Sequence, residues 1–199
     1  MKRTMTMLLV LASLCLVTQA QSAAEAVAIP KEKRTVLGLY LTPTEAYEKW
    51  KADPETVKIL DVRTPDEYVF VGHPTMAWHI PLALQTWQWD ATGRILPMKP
   101  NPDFLAHAKA VFAPADTLLV ICRSGGRSAR AVDMLAGAGF KHVYNIVDGV
   151  EGDLILDPKN PDHGKRKKNG WINSGLPWTY ELDPAKMRLP AQPATPPKQ

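Results

Sequence analysis

The segment Cys-Arg-Ser-Gly-Gly-Arg-Ser, from Cys122 to Ser128, places a thiol beside two arginines and two adjacent glycines. It follows Thr117–Ile121, a continuous apolar run of the kind found in buried parallel strands. A helix that begins just after such a strand leaves its first backbone amides without intrahelical partners. Glycines let the loop turn these amides inward, where they form a cup that binds anions. We therefore interpret this loop as a site that stabilises a thiolate, a persulfide or a bound oxyanion.

The cysteine count sharpens this interpretation. The chain has two cysteines, and Cys15 lies in an apolar run near the N-terminus that we expect to be removed. Cys122 would then be the only cysteine, so no internal disulfide is possible. A buried core cysteine is the alternative reading, but the Arg-Ser-Gly-Gly-Arg sequence that follows makes a poor core environment. We take Cys122 as a candidate nucleophile.

The N-terminal residues have the pattern of a secretory signal peptide. Lys2 and Arg3 precede an apolar run over residues 7–17, and small residues follow over 20–28. The run is too short to span a bilayer as a stable helix. We predict a signal peptide over residues 1–24, with cleavage between 20 and 28, a periplasmic location and no membrane span after cleavage. A retained amphipathic anchor is the alternative.

Short apolar segments alternate with helical patterns over the rest of the chain, which predicts an α/β sandwich with a mainly parallel sheet. Thr42 and Glu45 form a capping-box pattern at the start of the first helix. Residues 85–102 contain two tryptophans, a glycine and three prolines and are expected to form a long irregular loop. Strands are predicted at 57–62, 78–82, 117–121 and 143–147, and helices at 43–51, 102–112 and 127–138.

Composition excludes several classes of protein. The 45% hydrophobic and 22% charged content is that of a globular domain, and a net charge of +4 is too small for a nucleic-acid-binding surface. The proline-rich residues 184–199 are expected to be a disordered tail. The basic run over residues 165–168 is expected to lie in a solvated loop, although it could also dock an acidic partner.

The sequence resembles the rhodanese-like domain family, and the Cys122 loop matches that family's six-residue active loop. Three further stretches agree with the family pattern: Asp61-Val62-Arg63 with Glu67-Tyr68, Gly72-His73 with the His-Ile-Pro-Leu of 79–82, and residues 143–149 ending in Asp-Gly. The resemblance implies a rhodanese-like domain over 35–183, interrupted by an insertion at 153–170. It also implies a three-layer α/β sandwich with a five-stranded sheet.

The resemblance also implies roles for individual residues. Cys122 would take the outer sulfur of thiosulfate or a similar small anion as a persulfide, and a thiol or cyanide would accept it. Asp61 and Arg63 would form a buried pair that supports the loop. No cofactor or metal is implied. The residues expected to bind the donor anion or the persulfide are Arg123, Ser124, Gly125, Gly126, Arg127 and Ser128.

Departures from the family pattern leave the donor and acceptor open. Trp78 stands where small residues are usual, and Trp87 and Trp89 lie in a loop longer than a minimal domain needs. These tryptophans either pack against the core or line a pocket or partner surface. A protein partner could dock on this loop or on the insertion at 153–170.

Two other functions compete with sulfur transfer. Phosphatases of similar fold place five residues between cysteine and arginine, whereas four separate Cys122 from Arg127 here. This shorter loop argues against a phosphatase. A non-enzymatic binding or sulfur-sensing module is the stronger alternative. Such a module would keep its partner after Cys122→Ser, whereas an enzyme would lose its activity.

Overall fold

The computed structural model describes residues 29–189, so the predicted signal peptide lies outside the described residues. Within this range, no helix has the length and apolar character needed to cross a membrane. The helices and strands follow one another in the order β1 (Tyr40–Leu41), α1 (Pro43–Ala52), β2 (Val57–Asp61), α2 (Pro65–Val71), β3 (His73–Pro74), β4 (Trp78–His79), β5 (Ala83–Gln85), β6 (Met98–Pro100), α3 (Phe104–Val111), β7 (Thr117–Ile121), α4 (Gly126–Gly137), β8 (His142–Ile146) and β9 (Trp178–Thr179).

The central sheet has five strands in the order β1-β8-β7-β2-β4, and all neighbouring pairs are parallel. Strand β7 lies in the middle, between β8 and β2. Parallel strands need crossover connections, and the helices supply them. The predicted α/β class and five-stranded parallel sheet are confirmed.

Side chains alternate along β7, so its two faces enter different cores. Leu118 and Val120 pack with α3 and α4 on one face. Leu119 and Ile121 pack with α1 and the fully buried Trp171 on the other. The sheet is thus covered on both sides, which gives three layers. Cys122 follows this strand, whose residues after Thr117 are all buried.

Helices α1 and α2 begin in the same way. Thr42 accepts a hydrogen bond from the Glu45 amide, and Glu45 reaches back to the Thr42 amide. Thr64 and Glu67 repeat this capping box at the start of α2. The first capping box was predicted. The second fixes the backbone and carboxylate of Glu67, which contacts the candidate site.

The expectation of an irregular loop over 85–102 holds for residues 86–97, which contain no strand or helix apart from an isolated bridge between Asp90 and Ile95. It missed the flanking strands β5 and β6, which pair as an antiparallel hairpin over residues 83–100. Side chains stabilise it by hydrogen bonds to the backbone. Gln85 donates to the Leu96 carbonyl at 2.6 Å, and Thr86 donates to the Pro97 carbonyl at 2.8 Å. These bonds depend on spatial pairing, which hydrophobic periodicity does not reveal.

The expected disorder from residue 184 is also wrong for the described part of the tail. Pro184–Lys186 forms a 3-10 turn, and the Arg188 amide then donates to the His79 carbonyl at 2.9 Å. The Arg188 guanidinium lies 5.6 Å from the centre of the Trp78 ring, and Trp78 packs edge-on against Phe112. This segment therefore covers the free edge of β4, while Trp78 joins the core.

Two buried histidines enclose a tyrosine beside the sheet. The Tyr68 ring stacks on His73 at 3.7 Å and on His79 at 4.1 Å between ring centres. His79 Nε2 lies 3.1 Å from the Arg63 carbonyl. Burial lowers the pKa of both histidines, despite the opposing charge of Asp61. The neutral imidazoles are therefore part of the folded state.

This burial predicts that folding becomes less stable in mild acid. The unfolded histidines take up protons first, so their contribution is complete above the ordinary histidine pKa of about 6.5 and is lost as the pH falls below it. A single such histidine adds a slope of at most about 1.4 kcal/mol per pH unit. We expect His79→Gln to reduce the change in free energy of unfolding between pH 7.5 and 5.5, measured by urea denaturation. His142→Gln, at an exposed position, is the matched control. Equal pH dependence in wild type and His79→Gln would contradict this assignment.

Candidate active site

The cysteine lies in the loop that joins β7 to α4. Cys122 is 1% exposed. Its sulfur accepts a hydrogen bond from the Gly125 amide at 3.1 Å, and the Ser128 hydroxyl, a second possible donor, lies 3.3 Å from it. Gly125 has φ +98°, and a Cβ there would lie 2.1 Å from the Val147 carbonyl oxygen. Only glycine therefore fits this turn. The turn aims a backbone amide at the sulfur.

Asn145 holds this turn from strand β8, where it is fully buried. Its amide nitrogen donates to the carbonyls of Gly125, at 3.1 Å, and Lys33, at 2.9 Å. Its side-chain oxygen accepts from the Ser128 hydroxyl at 2.6 Å. A hydroxyl has one proton, so Ser128 can donate to only one of three acceptors at a time: Asn145, the Gly125 carbonyl at 3.0 Å or Cys122. The Gly125 amide, in contrast, donates its hydrogen bond to the sulfur whichever acceptor Ser128 uses.

Two other segments pack against the same loop. Gly149 has φ +65°, and a Cβ there would lie 2.5 Å from the Arg123 carbonyl. The aliphatic part of Lys33 lies against Gly125, and its ammonium contacts Asp153 at 3.0 Å. Lys33 is 7% exposed although it lies in the segment before β1. The N-terminal segment and the first residue of the insertion therefore meet behind the loop.

A buried ion pair lies next to the loop at the end of β2. Asp61 and Arg63 are both fully buried, with a closest N–O distance of 2.6 Å. Arg63 also donates to the Gly72 carbonyl at 2.7 Å. Between these two residues, the Val62 amide donates to the Ile121 carbonyl, the last of β7. The pair thus fixes the backbone from which the cysteine loop starts.

Arg127 contacts helix α2. Its two terminal nitrogens donate to the two carboxylate oxygens of Glu67 at 2.5 and 2.6 Å. Burial would raise the pKa of Glu67, but the hydrogen bonds and charge of Arg127 outweigh it and lower the pKa to about 2. Burial would likewise lower the pKa of Arg127, yet Glu67 and, more weakly, Cys122 raise it. Glu67 therefore neutralises most of the charge of this arginine.

Arg123 has a different environment. Its side chain is exposed and makes no salt bridge with any residue between 29 and 189. It lines a cavity of about 370 Å³ together with Glu67, Arg127 and residues of the β5–β6 hairpin. A second cavity of about 450 Å³ is lined by Ser124 and Gly126 of the loop and by charged residues of both signs, which are Lys33, Arg166 and Lys168 and the acidic Glu32 and Asp153. The cavity beside Arg123, with Glu67 paired to Arg127, is therefore the more favourable approach for an anion.

The residues predicted from the sequence lie in three places: at the sulfur, at the cavities beside the loop and at Glu67. Around the sulfur lie Gly125 and Ser128, and Gly126 opens the helix. Arg123 and Ser124 face the two cavities, whereas Arg127 contacts Glu67. Among residues 29–189, no group of three or more His, Cys, Asp or Glu side chains is arranged to hold a metal ion.

Sequence reasoning gave no role in the site to two of its residues, Asn145 and Glu67, although Glu67 was part of the family pattern. Asn145 is a polar residue inside an otherwise apolar strand, and that contrast was a usable signal. Glu67 stands three residues after Thr64, the capping-box spacing. Its contact with Arg127 joins residues 60 positions apart, and no local pattern indicates it.

This geometry defines a class of protein: an α/β domain whose one described cysteine lies at the carboxyl end of a central parallel strand, in a loop whose Gly125 amide donates a hydrogen bond to the cysteine sulfur. The family model of the rhodanese-like domain matches residues 42–153, more than half of the chain. The chain belongs to the rhodanese-like domain family.

Individual relatives agree with this family. Thiosulfate sulfurtransferase 16, chloroplastic, of Arabidopsis thaliana is 40% identical over 92 residues, which are 46% of this chain and 69% of that protein. Thiosulfate sulfurtransferase 18 of the same plant is 41% identical over 92 residues, 45% of this chain and 61% of that protein. The crystal structure of Rv0390 from M. tuberculosis, 29% identical, superposes with a TM-score of 0.56 over 71% of this chain and 96% of that one.

The role of Asn145 can be tested by the accessibility of Cys122. Asn145→Leu keeps the approximate side-chain size but removes the hydrogen bonds that hold Gly125. We expect the loop to open more often and Cys122 to react with iodoacetamide about tenfold faster, since each lost bond contributes about 1 kcal/mol. The rate is measured by intact mass. Asn173→Leu, at an exposed position, is the control, and equal rates in both variants would contradict the role.

Proposed function

We propose that this protein is a sulfurtransferase that carries sulfane sulfur as a persulfide on Cys122. The observation that carries the proposal is the single described cysteine, buried at the end of β7 with its sulfur hydrogen-bonded by the Gly125 amide. A backbone donor aimed at a sulfur stabilises it when it carries negative charge. Membership in a family with thiosulfate sulfurtransferases among the chain's relatives supports the same reaction class.

In the first step, the Cys122 thiolate attacks the outer sulfur of thiosulfate or a related donor. The bond from the cysteine sulfur to that outer sulfur forms, and the bond between the two donor sulfurs breaks. Sulfite leaves with the electron pair, and Cys122 keeps a persulfide anion. The loop then holds a negative sulfur beside the N-terminus of α4.

In the second step, a nucleophilic acceptor attacks the outer sulfur of the persulfide. A thiolate acceptor becomes a persulfide, whereas cyanide becomes thiocyanate. The bond between the two sulfurs breaks, and Cys122 leaves as a thiolate. The cycle therefore needs no external oxidant or reductant and returns the enzyme to its starting state.

We assign recognition of the donor anion chiefly to Arg123. Arg127, which the family resemblance would also give this role, has its guanidinium occupied by the bidentate contact with Glu67. Arg123 is exposed beside the nucleophile. A guanidinium with free donors can bind sulfonate oxygens in the way that it binds carboxylates or phosphates.

We further propose that the enzyme acts in the periplasm. This location rests on the charged, apolar and small-residue pattern of residues 1–28. In that oxidising compartment, a lone thiol is open to oxidation unless it is protected. The 1% exposure of Cys122 would limit that reaction.

Steady-state thiocyanate formation from thiosulfate and cyanide tests the reaction. We expect Cys122→Ser to have no activity above the uncatalysed rate, because serine cannot form the persulfide. Unchanged folding of the variant is checked by circular dichroism. Wild-type protein without activity toward thiosulfate or other sulfane donors would contradict the proposal and favour a binding or sensing module.

Substitution of Arg123 tests donor recognition. We expect Arg123→Gln to lower kcat/KM for thiosulfate about tenfold, the effect of losing one charge-assisted contact of roughly 1.4 kcal/mol. The loss should shrink at high salt, because the contact is solvent-exposed. Lys109→Gln, an exposed substitution on α3, is the control for a general charge effect. An unchanged kcat/KM in Arg123→Gln would contradict this assignment.

A further inference from the structure

A groove runs along the β5–β6 hairpin and ends at the loop that begins with Cys122. It consists of two cavities of about 360 and 370 Å³. Both are lined by Ile95, Pro97, Met98 and Arg127, so the two cavities adjoin along these four residues. Arg123, the neighbour of the nucleophile, lines the end nearest the loop.

The groove is more apolar than a small sulfur-containing anion requires. Its exposed lining includes Ile95 at 52%, Met98 at 47% and Leu96 at 41% exposure. Trp87 and Trp89, on the same hairpin, are 68% and 63% exposed. Exposed apolar side chains gathered in one place mark an interaction surface. Because thiosulfate offers no apolar surface to bury, the groove fits the acceptor better than the donor.

The charge of the groove is positive. Three arginines line it, Arg123, Arg127 and Arg130, whereas Glu67 is the only acidic residue among the described residues that line it. The bidentate contact with Glu67 neutralises Arg127. Arg123 and Arg130 are exposed, and neither forms a salt bridge with a residue of the described range. An occupant with apolar and acidic side chains would therefore complement the groove.

We propose that this groove docks a sulfur-accepting protein through a segment that carries a cysteine flanked by apolar and acidic residues. The inference rests on the proposed function, because it names the acceptor of the Cys122 persulfide. The docked thiolate attacks the outer sulfur, the acceptor leaves as a persulfide, and Cys122 becomes a thiolate again. No other reactant is consumed.

Two other occupants fit the groove less well. A second copy of the chain in a twofold dimer would bring Arg123 and Arg130 near the same positive face of its partner. The chain's own termini lack the required acids, since residues 1–28 contain one acidic residue and residues 190–199 contain none. Charge complementarity therefore favours another protein, rather than a second copy or the chain's own termini, as the occupant of the groove.

The test uses full-length mature protein loaded with sulfur by thiosulfate and followed by intact mass. Three synthetic decapeptides serve as acceptors. One has a cysteine between two leucines with three flanking glutamates. In the second, lysines replace the glutamates, and in the third, serines replace the leucines. 2-Mercaptoethanol gives the reference rate for a small thiol. We expect the leucine–glutamate peptide to be sulfurated at least about fivefold faster than either matched peptide.

Variants locate this preference. We expect Ile95→Ser to lower the rate ratio of the leucine–glutamate peptide to 2-mercaptoethanol about fivefold. Arg130→Glu is expected to lower or reverse the preference for glutamate over lysine peptides. The controls are Phe70→Ser, 80% exposed on α2, and Lys109→Glu on α3, which should keep the wild-type ratios. All four positions are at least partly exposed, and thermal unfolding confirms that each variant folds.

The outcomes separate this inference from the reaction itself. If wild-type protein gains no sulfur from any donor, both proposals fail. If it gains sulfur but transfers it equally to all three peptides, or if Ile95→Ser and Arg130→Glu keep wild-type ratios, only the docking groove is wrong. A wild-type dimer in sedimentation that Ile95→Ser dissociates would assign the groove to a second copy and would also overturn the proposal.

Discussion

The chain passes from β7 into α4 within four residues, and the site depends on how that short turn is made. Gly125 adopts a left-handed conformation at a position where any side chain would meet the backbone of Val147. Its amide then faces the cysteine sulfur and its carbonyl faces Asn145. One residue conformation thus couples the reactive atom to the neighbouring strand β8. Movement of the Gly125 backbone away from the sulfur would break its hydrogen bond with the Asn145 side chain.

The charged residues around the Cys122 loop are of two kinds, those in ion pairs and those that are exposed and unpaired among the described residues. Three charged pairs surround the loop: Asp61 with Arg63, Lys33 with Asp153 and Glu67 with Arg127. The Glu67–Arg127 pair also lines the groove of the β5–β6 hairpin, where the exposed Arg123 and Arg130 have no such partner among the described residues. Buried charge is tolerated only when it is paired, so this separation leaves positive charge where an anion or an acidic partner can reach it. The same fold therefore protects the thiol and provides access to it.

Local sequence patterns predicted the features that local physics determines. The apolar run before Cys122, the glycines after it and the Thr42 capping box each depend on neighbouring residues, and the strand, loop and helix follow from them. Asn145, Glu67 and Lys33 act across 20, 60 and 120 positions of sequence, through Gly125, Arg127 and Asp153 respectively. No periodicity reports such pairings. The hairpin of residues 83–100 was missed for the same reason, because side-chain contacts with distant backbone stabilise it. The resemblance to a family located the site, whereas its internal contacts required the structure.

The most direct test of this account is the intact mass of the purified protein before and after a single addition of thiosulfate, without an acceptor. The account predicts that wild-type protein gains one sulfur atom, that a fragment containing Cys122 carries it, and that cyanide removes it. Cys122→Ser should gain none. A wild-type mass that does not change with any sulfane donor, or a gain that persists in Cys122→Ser, would contradict the assignment of Cys122 as the sulfur carrier.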